Sequence, residues 1–462
     1  MKSKIKLMLP LLLLLGGCTL MPHYFRPASP VPQQFPGAQT GGPTAKPTYD
    51  IGWQEFFKDP RLQQLITLAL QNNRDYRIAL LNVQQIHDQY RIVQYALLPS
   101  FGLSGAGVRE REFVSKGKYS HFSEYSASVN ISYEIDLFGQ IRSLQKQAIE
   151  QYLASEEASR STQITLVSEV AMQYLNERSI DEQLQLLENT LKSVEDYRDL
   201  IEKSYQAGNS SALDLAQAQA QVESSKVGIA NYERQRAQIE DALMVLVGED
   251  LPDGLPAPRP LESQDMMEDL SVGASSDLIE RRPDILSAEH QLIASNANIG
   301  AVRAAFFPNV TLLGADGSAS APLTKLFRPG TQIWSFNPQI NLPLFNQNTN
   351  VANLHAAQVA KKIQIAQYEK TIQTAFSEVS DAIAARDTYN QQFSAQKALV
   401  DAEQERYDLA SQRYKSGIDS YLTVLLAQQD LYTAQQNLIQ VSLDRLTNLI
   451  SLYKALGGGW SQ

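Results

Sequence analysis

From Tyr125 to Leu137 the chain alternates without a break. Tyr125, Ala127, Val129, Ile131, Tyr133, Ile135 and Leu137 are apolar, and Ser126, Ser128, Asn130, Ser132, Glu134 and Asp136 between them are polar. Successive strand side chains point to opposite faces, so this pattern predicts a strand with one apolar face. A second alternation sets Trp334, Phe336, Ile340, Leu342 and Leu344 against Ser335, Asn337, Gln339 and Asn341. The partner of the first strand, Phe101–Val108, is Gly-rich, and Arg109-Glu110-Arg111-Glu112 through Lys116-Gly117-Lys118 is expected to form a loop. Two hairpins make four strands. A soluble sheet with one wet face shows the same alternation, but soluble strands run to about five or six residues, and membrane strands need about 9–11. Four strands cannot close a barrel, and an open edge cannot stand in lipid, so a membrane reading requires several chains.

The remaining pattern is helical. Arg61–Tyr95 reads as one helix, ended by Pro99. Gly139–Tyr205 contains no proline, and at 1.5 Å per residue it would reach about 100 Å. Ser211–Val247 is about half that length, and Asn346–Tyr414 and Ser420–Leu456 repeat the two lengths. Two half-length helices stacked end to end could lie beside each long one. Long helical repeats commonly make solid coiled coils, which want a Leu/Ile seam. Here the apolar positions are sparse and often Ala, and faces such as Gln217-Gln221, Gln428-Gln435 and Asn437-Gln440 are uncharged and polar. That composition favours a hollow bundle with a wetted inner face.

The equal lengths reflect an internal duplication about 208 residues apart. Tyr205-Gln206-Ala207-Gly208 answers to Tyr414-Lys415-Ser416-Gly417, and Leu97-Leu98-Pro99-Ser100 to Phe306-Phe307-Pro308-Asn309. Asp136-Leu137-Phe138-Gly139 answers to Pro343-Leu344-Phe345-Asn346, and Leu246-Val247-Gly248 to Ala455-Leu456-Gly457. A repeat of this kind defines the architecture. The first copy is expected over 61–248 with its hairpin at 98–138, and the second over 281–457 with its hairpin at 306–345. Residues 249–280, with four prolines, read as a linker or equatorial segment, and 458–462 as a tail.

The chain starts with Lys2, Lys4 and Lys6, then Leu11–Leu15, then Gly16-Gly17-Cys18. This reads as a secretory signal over 1–17. Leu15-Gly16-Gly17-Cys18 resembles the bacterial lipobox, whose cysteine is acylated (palmitate among its chains) and becomes the mature N-terminus; an ordinary signal peptide is the alternative. Cys18 is the sole cysteine, so it has no disulfide partner, and lipidation accounts for it. Thr19 stands where an aspartate would mark inner-membrane retention, so outer-membrane delivery is expected. Residues 18–60 are rich in Pro, Gln, Gly and Thr and suit an extended strap.

Net charge is −10, and loss of the three signal lysines leaves −13. So acidic a protein is a poor partner for nucleic acid. No run of 18 apolar residues follows the signal, so any crossing of a bilayer falls to strands. The five histidines (His23, His87, His121, His290 and His355) are scattered, without metal spacing, and no Walker or GxSxG motif occurs. No enzymatic activity, cofactor or metal is expected.

Lipobox, repeat, strand pairs, both YxxG tips and Glu280-Arg281-Arg282-Pro283-Asp284-Ile285 together resemble the TolC-like outer-membrane efflux protein family, in its OprM-like lipoprotein branch. The resemblance implies a mainly α fold with a small β part. A homotrimer would form a 12-stranded transmembrane β-barrel, four strands per chain, continued by a long α-helical periplasmic barrel. It implies a periplasmic adaptor, an inner-membrane pump of RND type, and export of drugs or other small molecules. The family closes its tunnel beside the tip turns, here at Gly208 and Gly417. Its gate aspartate falls on Asp214 and its gate tyrosine on Tyr414. Thr423 and Leu426 stand where some members carry acidic rings, and Asp419 replaces the family's arginine. An acidic trap and an Asp–Arg lock are therefore not expected. Leu422 and Leu426, four residues apart, share a helix face. They would form apolar rings under threefold symmetry, or pack between staves. An exit channel for protein secretion and a non-conducting structural lipoprotein are the alternative functions.

Overall fold

The computed structural model describes residues 19–36, 48–267, 270, 281–344 and 347–460. Cys18 and the signal lie outside the described residues, as do most of 268–280 and the Phe345-Asn346 pair. In chain order the main elements are α1 (Pro60–Asn72), α2 (Arg74–Tyr95), β1 (Ser100–Ser115), β2 (Lys118–Ile135), α3 (Gln140–Gln206) and α4 (Ala212–Val247). The second half supplies α5 (Pro283–Ala304), β3 (Asn309–Ser320), β4 (Gln332–Asn341), α6 (Gln347–Lys415) and α7 (Tyr421–Ala455). The chain divides into two compact units: residues up to 28 with 82–156 and 287–370, and the remainder.

The first unit holds one antiparallel sheet in the order β1-β2-β3-β4. The register pairs Phe101 with Ile131, Ile131 with Gly314, and Gly314 with Phe336. Paired residues share a face. One face therefore carries Phe101, Leu103, Val129, Ile131, Tyr133, Val310, Leu312, Trp334, Phe336 and Ile340, while Ser104, Ser128, Asn130, Gln339 and Asn341 occupy the other. Ser104, Ser128 and Asn130 hydrogen-bond to one another on that polar face. Pro338 sits in β4, an edge strand within the chain, where proline is tolerated.

One expectation is corrected here. Residues 109–118 are not a loop. β1 runs through them to Ser115, and the Lys116-Gly117 turn, both residues at positive φ, returns the chain into β2. Charge at each of residues 109–112 hid the period of two from a hydrophobicity pattern.

In the same unit the strap beyond Thr19 lies on α5. Arg26 donates twice to Glu289, at 2.8 Å each, and the Tyr24 hydroxyl donates to the same carboxylate. Asn296 reaches the Pro22 carbonyl and Arg303 the Leu20 carbonyl. A Cβ at Gly300 would fall 2.8 Å from Met21 Cα, so glycine permits this close approach.

The second unit is helical. Its core stacks Phe56 on Tyr453 at 3.9 Å and buries Leu62, Leu65, Ile66, Val170, Leu175, Leu243 and Val247. The Tyr453 hydroxyl donates to the Ile51 carbonyl and that of Tyr174 to Asp59. The helix expected over Arg61–Tyr95 is two helices, parted at Asn73. No proline or glycine marks the break. The Asn73 side chain makes it, accepting the Tyr76 N–H at 2.9 Å as a helix cap and donating to the Leu246 carbonyl at 2.8 Å. The C-terminal end of α4 is thereby spliced to the start of α2. In the second repeat Arg282 does the same for α7, donating to the Ala455 carbonyl at 2.9 Å beside the start of α5. Arg282 also pairs with Asp284 and Glu378.

Candidate functional site

The four helix ends named by the two tip turns meet in the second unit. Each long helix ends in a Schellman turn. Gly208 takes φ +80° and Gly417 φ +73°, left-handed values that glycine adopts without strain. Asn209 N–H returns to the Ser204 carbonyl and Ile418 N–H to the Arg413 carbonyl. These bonds satisfy last-turn carbonyls and let α4 and α7 start at once.

Beneath the turns lies a buried cluster of Tyr197, Ile201, Ala218, Ala410, Tyr421, Val424, Leu425 and Ala427, with Leu215, Tyr407 and Tyr414 packed against it. Tyr197, Tyr414 and Tyr421 form a triangle with ring centroids 6.0–6.4 Å apart. Polar links stitch the helices around it: Tyr197 to Ser411, Ser193 to Tyr407, and Gln428 to Ser193. Burial pushes the Tyr421 phenol up to about 12, and the neighbouring tyrosines and Asp214 add to it. Burial also raises Tyr414, and the Asp214 carboxylate adds to the rise.

Asp214 and Tyr414 are thus neighbours, but the Asp214 carboxylate is engaged locally. Ser211 caps α4, accepting the Asp214 N–H at 3.1 Å, and Asp214 accepts the Ser211 N–H at 3.1 Å and its hydroxyl at 2.7 Å. This is a capping box. At the second tip Ser420 makes no such cap. Instead Arg413 grips Asp419 across the turn through two bonds, at 2.6 and 3.0 Å. The guanidinium holds the Asp419 carboxyl below its ordinary range. An arginine–aspartate pair is therefore present at this tip, though the family's arginine position holds the acid; an Asp–Arg lock of the family's kind was not expected, and the pair is internal to one chain.

On the first turns of α7 the faces separate cleanly. Tyr421, Val424, Leu425 and Gln428 are buried, while Leu422, Thr423 and Leu426 are exposed, the two leucines to 47 % and 46 %. Within the chain those leucines pack against nothing that would bury them. Leu213, 65 % exposed, stands at the corresponding place in the first tip, and Ile418 is 63 % exposed. Both escaped the sequence reading, although aligning the repeats sets Leu213 on Leu422. Among the described residues no group of His, Cys, Asp or Glu is placed to hold a metal ion.

The outer membrane efflux protein family model matches twice, over residues 65–249 and 274–458, two segments of equal length that restate the duplication. The chain is 46 % identical over 97 % of its length to the toluene efflux pump outer membrane protein TtgC of Pseudomonas putida, covering 94 % of that protein. It is 40 % identical to the cation efflux system protein CusC of Escherichia coli, with 97 % of each chain covered. The open-state crystal structure of the Neisseria gonorrhoeae MtrE outer membrane channel superposes with a TM-score of 0.88, at 37 % identity, over 96 % of this chain and 99 % of that one. The protein belongs to the outer membrane efflux protein family. Its fold is that of the family's trimeric channels, mostly helical with four strands per chain, and its place is the outer membrane.

Proposed function

We propose that the chain is the exit duct of a tripartite efflux system, through which drugs or other small molecules pass passively. A periplasmic adaptor and an inner-membrane pump of RND type deliver them and supply the energy. The observation that carries this reading is the sheet. Its apolar face draws residues from all four strands and is interrupted by Asp316, yet among the described residues β1 and β4 each pair on one side only. Unpaired edges cannot stand in hydrocarbon, so further copies must complete the ring. Three copies give twelve strands. Relatives that export toluene or cations through this fold make a small-molecule cargo the natural reading. Cys18 carries the lipid anchor, and mass spectrometry of the mature N-terminus should find it acylated. An unmodified Cys18, or cleavage elsewhere, would end that claim.

The tips form the resting gate. Leu422 and Leu426, and Leu213 at the equivalent place on the first tip, are exposed in one chain and face a common axis in three, where apolar rings expel water. Tyr414 packs on Tyr197 and Tyr421 between the tips, Asp214 caps the first tip, and the Arg413–Asp419 pair fastens the second. Thr423 adds no charge to the constriction. Single-channel recording in a planar bilayer tests the whole. The wild-type trimer should conduct poorly, and Leu422→Ser with Leu426→Ser should raise conductance several-fold. A silent bilayer from both proteins would mark a structural spacer. Unchanged conductance with a less stable trimer would reduce the leucines to packing between staves.

A further inference from the structure

The β1–β2 hairpin outruns its sheet. Pairing of β2 with β3 ends at Tyr125–Ser320, but β1 and β2 continue to pair through Ser115–Lys118. The helices leave from the opposite end, beside Ile135 and Asn341, so the extension lies at the end of the sheet away from them. The eleven paired residues from Ile135 to Tyr125, tilted about 45°, span about 25 Å, the height of a barrel's apolar band. Within those rows Asp316, Ser318, Ser320 and Gln332 share the parity of the apolar face, so that face turns polar below the extension, which stands beyond the hydrocarbon at the headgroup side.

Register then sorts its charges. Arg109 and Arg111 have the parity of Phe101 and Leu103, and their partners Ser123 and His121 have the parity of Val129 and Ile131. Both arginines thus stand directly above the apolar face. Glu110, Glu112 and Glu124 have the other parity and stand above the polar face. The Arg-Glu-Arg-Glu run, neutral in sum, is split by the pleat into a basic side and an acidic side. Beyond the arginines, Phe113 pairs with Tyr119 at 5.7 Å, and Arg111 stacks on the Tyr119 ring at 3.8 Å. That stack leaves the guanidinium edge free to donate. Arg109, Glu110, Arg111, Glu112, Phe113 and Tyr119 are all exposed.

We propose that this face binds the phosphate-bearing headgroup of an outer-leaflet lipid. Arg109 and Arg111, about 7 Å apart along the strand, offer forked donors matched to phosphate oxygens. Phe113 and Tyr119 form an aromatic girdle at headgroup level. A surface meeting only water would gain nothing from carrying its arginines on the lipid side and its glutamates on the other. The assignment rests on the barrel reading, because the apolar face must meet lipid for the arginines to meet headgroups.

The test uses the full-length trimer in phosphatidylcholine nanodiscs doped with diphosphorylated or dephosphorylated lipid A, with bound lipid read by native mass spectrometry. Diphosphorylated lipid should be retained over phosphatidylcholine and over its dephosphorylated form. Arg109→Gln with Arg111→Gln should weaken retention roughly thirtyfold. Glu110→Gln with Glu112→Gln, on the other face, should leave it unchanged or raise it slightly. Equal retention by wild type and the arginine variant, or no preference for phosphate, overturns the site. Conductance of the same preparation reports the barrel separately, so a conducting trimer that retains no phosphorylated lipid refutes this inference alone.

Discussion

The two repeats use one backbone and fasten it differently. At the first splice a neutral amide, Asn73, holds the Leu246 carbonyl; at the second a cation, Arg282, holds the Ala455 carbonyl and recruits Asp284 and Glu378. At the first tip a capping box closes the start of α4. At the second the cap is absent and an ion pair crosses the turn. What the copies share is sterically imposed: left-handed glycines at 208, 248, 417 and 457, and last-turn carbonyls that need donors. What differs is which side chain supplies the donor. Duplicated backbone constrains geometry tightly and chemistry loosely.

The largest effect should come from the glycines that end α4 and α7. Both take positive φ, but a Cβ at Gly248 would fall 2.5 Å from the Asn72 carbonyl oxygen, whereas one at Gly457 meets the flexible Arg282 side chain at 3.4 Å. Gly248→Ala should destabilise by about 3 kcal/mol and Gly457→Ala by about 1 kcal/mol, as read from denaturant midpoints. Equal losses would mean that the first splice is not the tighter one.

Next comes the donor itself. Arg282 is 8 % exposed, and Arg282→Met removes a bond to the Ala455 carbonyl while leaving Asp284 and Glu378 unpaired. A loss of about 2 kcal/mol is expected, below the value for a fully buried pair because Glu378 is half exposed. Asn73→Ala should cost about 1 kcal/mol. High salt should narrow the gap between wild type and Arg282→Met and leave the Asn73→Ala gap as it is.

The caps separate the tips further. Ser211→Ala should cost about 1 kcal/mol and fray the start of α4 in hydrogen exchange, while Ser420→Ala should change little. Comparable fraying at both would remove the distinction.

The smallest effect is one of pH. Arg413 depresses the Asp419 carboxyl, so this contribution is present above the ordinary aspartate range and is lost as pH falls through the depressed value. Amide exchange at 416–421 should quicken below that range, and Arg413→Gln should abolish the dependence. The pair is exposed, and its effect on global stability should be slight.

How far these features could be read beforehand depends on the signal each one leaves. The strand faces were legible because Tyr125–Leu137 alternates in hydrophobicity. Its extension was not, because Arg109-Glu110-Arg111-Glu112 alternates in sign, which leaves a hydrophobicity pattern flat. Gly208 and Gly417 were legible as turns, since few other residues take that φ cheaply. Asp214 was picked out as a gate residue, yet Ser211-x-x-Asp214 also carried the plainer signature of a capping box. The break at Asn73 left only the weak trace of an asparagine cap, since its other partner, the Leu246 carbonyl, is brought near by folding; Arg413 and Asp419 are six residues apart, and a hydrophobicity pattern carries no sign of their pairing across the turn.

Tyr421 gives the tip an internal tension. Its ring is among the buried cluster, and its hydroxyl, also buried, has no hydrogen-bond partner among the described residues. Such a group destabilises the packed arrangement by about 1–3 kcal/mol. The packed tip is therefore frustrated, held short of its own lowest attainable energy. Any parting of α7 from its neighbours that lets water reach this hydroxyl recovers the penalty. Tyr421→Phe removes the frustration. It should raise the resistance of the tip to hydrogen exchange, and a variant that loosened it instead would show the hydroxyl to be satisfied after all.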